Sequence, residues 1–228
     1  MNNEITIDGV VYIRKDKCSC PFMNKETKNV DKKYGFTGET LKYKGHKLHQ
    51  IVALRDFGDV KKGDEGGWIE NETNLSQEGN CWVDDDAKVY NHAKVYDNAE
   101  VWKDAEVFDN AEVFGNAEVY DEARVYGNAK VCNTAVVCGG SRVYGNAEVY
   151  DNAKLYGCPD VHGNAKVHQC AKVYGRADVS GNAVVYGYAE VFGAAEVFGD
   201  VVVCGYAEVN EETDVSKLNI LDMNKPVI

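Results

Sequence analysis

The sequence predicts an all-β chain folded as a three-sided solenoid, a single-stranded parallel β-helix with 18 residues to each coil. Two observations carry this. From Val83 to Val215 an apolar residue recurs at every sixth position, 23 times without a slip, and a small residue, nearly always Ala, stands two places before it. The unit is a hexapeptide of the form A-x-V-Y-G-N. Self-similarity at a fixed short period marks a repeat architecture whose units bury their apolar faces only by stacking.

Within Ala111-Glu112-Val113-Phe114-Gly115-Asn116 the first four residues alternate small, charged, apolar and aromatic. That period of two belongs to a strand with one face buried, so Ala and Val point inward and Glu and Phe outward. The closing pair is drawn mainly from Gly, Asp and Asn, residues that tolerate positive φ and turn corners. A strand this short cannot bury its Ala and Val alone, so each must pair in parallel with its equivalent one coil on. Three units per coil give just under eight regular coils, a prism about 37 Å long at about 4.8 Å per coil.

The unit resembles the hexapeptide repeat of left-handed parallel β-helix proteins, the superfamily that includes the bacterial hexapeptide acyltransferases. The left hand of the helix is what that resemblance implies. The Tyr-Gly-Asn-Ala-Glu-Val flavour of the repeat, with its lead-in Arg55-Asp56-Phe57, Gly66-Gly67-Trp68-Ile69, Asn74-Leu75-Ser76 and Gly79-Asn80-Cys81-Trp82-Val83, is closer still. It is similar to repeat proteins of bacteria, phages and prophages that are labelled transferases without demonstrated chemistry. This resemblance covers roughly residues 34 to 215.

The ends are less regular. Residues 1–65 are expected to form a small β-rich N-terminal cap, because an uncovered strand edge invites pairing with another chain. Ile5 to Ile13 reads as a hairpin on Asp8-Gly9, and Leu41 to Leu54 as another about Lys44-Gly45. Residues 66–82, with Ile69 and Leu75 six apart, are expected to make an irregular first coil. The regular coils occupy 83–215, and a tail, 216–228, offers Leu218, Ile220 and Leu221 to lie across the last one.

Charge narrows the partners. Residues 1–80 carry 13 basic and 13 acidic side chains, so the net charge of −12 belongs wholly to the repeats. An acidic rod argues against direct binding of nucleic acid or anionic membranes and favours a basic protein partner. No basic stretch followed by an apolar run opens the sequence, and no segment reaches 18 consecutive apolar residues, so a cytoplasmic location is expected. In a phage-encoded protein that would be the host cytoplasm. Cys132, Cys138, Cys158, Cys170 and Cys204 fall on repeat positions and read as free thiols. The spacing of Cys18 and Cys20 does not suit a zinc knuckle.

Candidate chemistry is sparse. The superfamily's acyltransferases typically use a His general base between subunits, framed by a loop that interrupts the coils. Of five His, His162 and His168 are the weak catalytic candidates. Both occupy the outward position where Tyr or Phe usually stands, so they read as aromatic replacements. No insertion breaks the register, and neither a metal nor a cofactor is expected. Asp84-Asp85-Asp86 coincides with the first regular corner and reads as a solvated acidic end.

The outer faces are more informative. Positions 18 apart form a column Lys94, Glu112, Lys130, Glu148, Lys166 of alternating sign, which should stabilise the stack. Another column runs Arg124, Arg142, Asp160, Asp178, Glu196, Asp214; its last four carboxylates are a candidate binding strip for a basic partner. Val184, Tyr186, Tyr188, Val202, Cys204 and Tyr206 form a mainly apolar outward patch, a candidate interface for homo-oligomerisation. The rings at Tyr90, Phe108, Tyr126 and Tyr144, and at Trp102, Tyr120, Tyr156, Tyr174 and Phe192, are expected to stack on each other.

The leading functional expectation is a non-enzymatic phage-type binding protein, in its sharpest version an inhibitor that occupies a basic, nucleic-acid-binding surface of a host defence protein. The alternatives are an acyltransferase-like enzyme with a His base at a subunit interface, and a self-assembling scaffold.

Overall fold

A computed structural model describes residues 32–215 and, ahead of them, the strands β1 (Glu4–Ile7) and β2 (Val10–Ile13). The chain divides into two units, Met1–Asp31 and Lys32–Ile228. In the first, β1 and β2 pair antiparallel with Ile7 opposite Val10, the hairpin expected about Asp8-Gly9. Cys18, Cys20 and the tail with Leu218, Ile220 and Leu221 lie outside the described residues.

The second unit is a parallel β-solenoid of about eight turns, its strands spaced 18 residues apart. Glu106 stands opposite Arg124 and Val107 opposite Val125, and the same register holds from coil to coil. The hexapeptide strands, from Trp82–Val83 to Glu208–Val209, sort into three sheets, one per face of the prism. The first face contains Lys88–Val89 through Glu196–Val197, the second Lys94–Val95 through Val202–Val203, and the third Trp82–Val83 through Glu208–Val209. The repeated Val and Ala are almost all fully buried between them.

The strands are shorter than the four-residue alternation suggests. Only the charged residue and the Val that follows lie in the ladder at most units, as at Glu112–Val113. The chain then turns at once: the N–H of Ala111 reaches back to the carbonyl of Phe108 at 3.3 Å. At every corner from Asp85 to Gly205 the first residue of the corner pair has positive φ, 60° at Asp97 and 72° at Gly145 for example. Lys103 and Gln169 also adopt it, at 57° and 59°, so the corner is imposed by the coil as well as favoured by residue type. At Gly145 a Cβ would lie 3.0 Å from the Gly163 nitrogen, which ties glycine there to the approach of the next coil. Where Asp fills the position, its carboxylate accepts from the next coil: Asp109 Oδ2 takes the Gly127 N–H at 3.1 Å.

Before the regular coils the first face is extended by β3 (Tyr34–Tyr43), β4 (His46–Ala53) and β5 (Glu65–Ile69). β3 and β4 form the hairpin about Lys44-Gly45, β4 pairs antiparallel with β5, and β5 runs parallel to Lys88–Val89. Ile69 stands opposite Val89 and Leu75 bridges to Val95, both 20 residues apart, whereas Val83 and Val101 take up the 18-residue spacing. The core end near Val83 is closed by Tyr34 and Phe57, both edge-on to Trp82. Buried Lys33 donates through Nζ to the Cys81 carbonyl at 2.8 Å, and desolvation holds its pKa below the ordinary lysine value.

Val149, fully buried, is registered between Val131 and Val167. Val149→Asp would bury an unpaired carboxylate mid-stack, at a cost of several kcal/mol, roughly 4 or more. Thermal melting followed by circular dichroism should show a strongly lowered or non-cooperative transition, whereas Val→Ala at the same site should lower it less.

Candidate functional site

Side chains at the outward positions are organised by the same stacking. Tyr90, Phe108, Tyr126 and Tyr144 form a continuous ladder with ring centroids 4.8 to 5.1 Å apart and planes within 4°. His162 is its next rung, 4.7 Å from Tyr144 and parallel to it within 3°. On the second face His168 is sandwiched between Tyr150 at 4.7 Å and Tyr186 at 5.2 Å. Both His candidates therefore occupy ring positions in aromatic ladders. Desolvation lowers the pKa of His168, against the opposing pull of Asp151, which favours its neutral form. Both rings have a carboxylate beside them, but only His162 is within hydrogen-bond reach of it, its Nε2 lying 3.3 Å from Asp178, whereas His168 Nδ1 is 3.8 Å from Asp151. A His oriented by a carboxylate can act as a general base when a substrate proton comes within reach.

The structure alters the carboxylate strip. Asp160, Asp178 and Glu196 stand in register on the first face, but Asp160 is held by the Arg142 guanidinium, with Nε 2.6 Å from Oδ1 and a second contact from the terminal nitrogen to Oδ2. Asp178 faces His162. The strip thus begins with an ion pair rather than with four like charges in line. Asp214 follows the last described strand and has an interaction of its own. In the column of alternating sign, Lys166 and Glu148 form an ion pair at 3.1 Å, while Glu112 accepts from the Tyr96 hydroxyl at 3.1 Å.

The C-terminal patch is brought together as the spacing requires. Val184 pairs with Val202, and Tyr188 stacks on Tyr206 at 5.1 Å. Tyr206 is 80% exposed and Tyr188 58%, with Phe198 on the neighbouring face at 57%. Tyr186 and Cys204 complete the patch at half-buried positions. Cys81, Cys132, Cys138, Cys158, Cys170 and Cys204 are all free thiols. Cys138 interrupts the third-face ladder between the stacked pairs Trp102–Tyr120 and Tyr156–Tyr174.

One cluster lies outside the logic of the repeat. Glu106 is the one buried carboxylate among the described residues, and the tip of the β3–β4 hairpin folds onto it. It accepts from Lys44 Nζ at 2.7 and 2.9 Å, from Tyr43 at 3.0 Å and from Tyr90 at 2.9 Å. The Arg124 guanidinium, with Nε 3.6 Å away, leans over the Phe108 ring. Lys88, Glu106 and Arg124 are legible as a charge column; the hairpin's reach across it has no signal in the period.

Among the described residues no group of His, Cys, Asp and Glu is placed to hold a metal ion, and no helix is long and apolar enough to cross a membrane. A 42-residue stretch is 55% identical to a protein of Escherichia coli K12 named uncharacterized acetyltransferase YdcK. The chain folds as a parallel β-solenoid of hexapeptide repeats. The shared stretch spans 18% of this chain and 13% of the E. coli protein. No protein-family model matches the chain.

In this hexapeptide-repeat protein the Glu106 cluster joins hairpin to coil. Burial works to raise the Glu106 pKa, but hydrogen bonds from Lys44 and Tyr90 outweigh it and hold the carboxyl below the usual value near 4.5. A depressed carboxylate contributes stability that is present above the unfolded-state pKa and lost as pH falls through the folded one. Glu106→Gln should therefore destabilise the protein by about 1–3 kcal/mol at neutral pH. The difference from wild type should shrink on acidification below about pH 4.5, read as denaturation midpoints at each pH.

Proposed function

We propose that this protein is a hexapeptide rod of acyltransferase type that works by binding, with its last two described coils as the contact surface. The observation that carries this reading is where the exposed rings lie. Most outward aromatics along the rod are half covered by their stacking neighbours, whereas Tyr188, Phe198 and Tyr206 stand more than half exposed within two coils of each other. Exposed rings grouped at one end of the coils are costly to leave in water and usually mark an interface. The partner in the first instance is a second copy of the chain, which also fits a self-assembling scaffold.

Light scattering tests it directly. The wild-type protein should have a mass that is a multiple of 25.2 kDa, and Val184→Lys with Val202→Lys should lower it while leaving the circular dichroism spectrum unchanged. A wild-type mass of one chain would refute self-association through this surface. The strip at Asp178 and Glu196 then offers a second contact for a basic protein, detectable as a partner captured from lysate at low salt and released at high salt.

A second reading, acetyl transfer, is favoured by the likeness to the E. coli protein. That likeness speaks for transfer chemistry over the narrower expectation of an inhibitor of a host defence protein, which no observation on the structure supports. His162 would be the general base and Asp178 its orienting carboxylate, with the acyl donor and acceptor held by a neighbouring subunit. If this reading holds, purified protein will release CoA from acetyl-CoA in the presence of an amine or hydroxyl acceptor. His162→Ala should then lower that rate by about 100-fold or more, and His168→Ala should leave it within a few-fold. Equal rates with and without His162 would exclude it.

A further inference from the structure

The aromatic ladder on the third face has a missing rung. Trp102 stacks on Tyr120 at 4.2 Å, and among the described residues no ring stacks on its other side. One coil earlier, where a ring would continue the ladder, the sequence has Asp84, whose N–H donates to the Val101 carbonyl at 2.8 Å. The space left there is part of a cavity of about 480 Å³ between the loop following β4 and the first coils. That volume is of the order that small-molecule sites enclose.

The lining is chemically one-sided. Asp59, Asp64, Glu65, Asp84, Asp85 and Glu100 contribute six carboxylates, and no Lys, Arg or His lines the cavity. None of the six is in an ion pair among the described residues; Asp64 and Asp85 accept only from the backbone N–H groups of Lys61 and Lys103. Burial raises the Glu100 pKa, and Glu118, Asp59 and Asp84 add to the rise, with no cation opposing them. Trp82, Val60 and Val101 supply apolar wall. The carboxylates are too dispersed for a metal ion, since no ligand-like group of three exists among the described residues. The rings themselves take cations: Lys103 Nζ lies 4.7 Å from the Trp102 centroid and 5.4 Å from that of Tyr120.

We propose that this cavity binds a small organic dication carrying a planar guanidinium, which stacks on Trp102 as the missing rung and pairs with Asp84, while a second, ammonium end meets the carboxylates around Glu100. A guanidinium suits the position better than an ammonium. It is planar, so it can replace a ring in the ladder, and it presents paired donors to a carboxylate while covering an aromatic face. The six carboxylates, five of them exposed to water, set the sign of the ligand, and the volume of the open cavity limits its size.

The test is calorimetric titration of the full chain with agmatine, putrescine and arginine in 0.15 M salt. Agmatine and putrescine each carry two positive charges, but only agmatine has the planar group; arginine has the planar group with an added carboxylate. Agmatine is expected to bind at least tenfold more tightly than either, and to change tryptophan fluorescence. Trp102→Leu and Asp84→Asn should each weaken it at least tenfold, the second keeping the ring in place, whereas Glu208→Gln on the same face several coils away should not. Thermal melts of the variants establish that they are folded. Equal affinity for agmatine and putrescine, an equal loss in Glu208→Gln, or no agmatine binding would overturn the proposal.

Discussion

Everything in this protein depends on the backbone ladder that joins each coil to the next. A two-residue strand has almost no stability of its own, since it fixes its backbone for a pair of hydrogen bonds. Its hydrogen bonds and its Val become worth having only when an identical strand lies one coil away. At Val107, for example, the ladder continues on both sides to Val89 and Val125. The left-handed residue at each corner makes this register possible, because it folds the chain sharply enough for three such strands to close a turn. Stability is therefore close to a sum over neighbouring coils.

Registration explains the surface as much as the core. Once the Val column is in line, every outward column is in line too, and chemistry between neighbours is decided by what recurs 18 residues away. Rings meet rings, as from Tyr90 to His162, and Asn amides meet along a corner, Asn128 donating to Asn146 and Asn146 to Asn164. Opposite charges meet in places, as Arg142 meets Asp160. A side chain that departs from its column is consequently conspicuous: Asp84 above Trp102, and Val184 and Val202 after Lys166.

The coil architecture was legible in the sequence because one residue type at one spacing encodes it, and the interior of a narrow prism tolerates little else. The contents of the columns were legible for the same reason. His162 and His168 as ring replacements, the Tyr188–Tyr206 pair and the hairpin at Lys44-Gly45 follow from spacing and turn chemistry. Strand length was less so, since alternation of side chains extends past the two residues that bond in the ladder. What escaped was contact between the irregular N-terminal segment and the coils. Tyr43 and Lys44 lie more than 60 residues from Glu106, and no period links them. The strip beginning at Asp160 was read from charge along one column, but the reach of the Arg142 side chain pairs off its first carboxylate.

The 18-residue register also sets which changes in length the rod can absorb. Removing one whole coil from the middle would bring together two surfaces built alike, and every later side chain would keep its face. Removing one hexapeptide would join equally compatible strands, yet rotate all that follows by a third of a turn. The strands of the C-terminal patch, now on the second face, would then fall on the first, the face that carries the Glu106 hairpin. The length of such a rod changes smoothly in coils, while the angle between its two ends takes only three values.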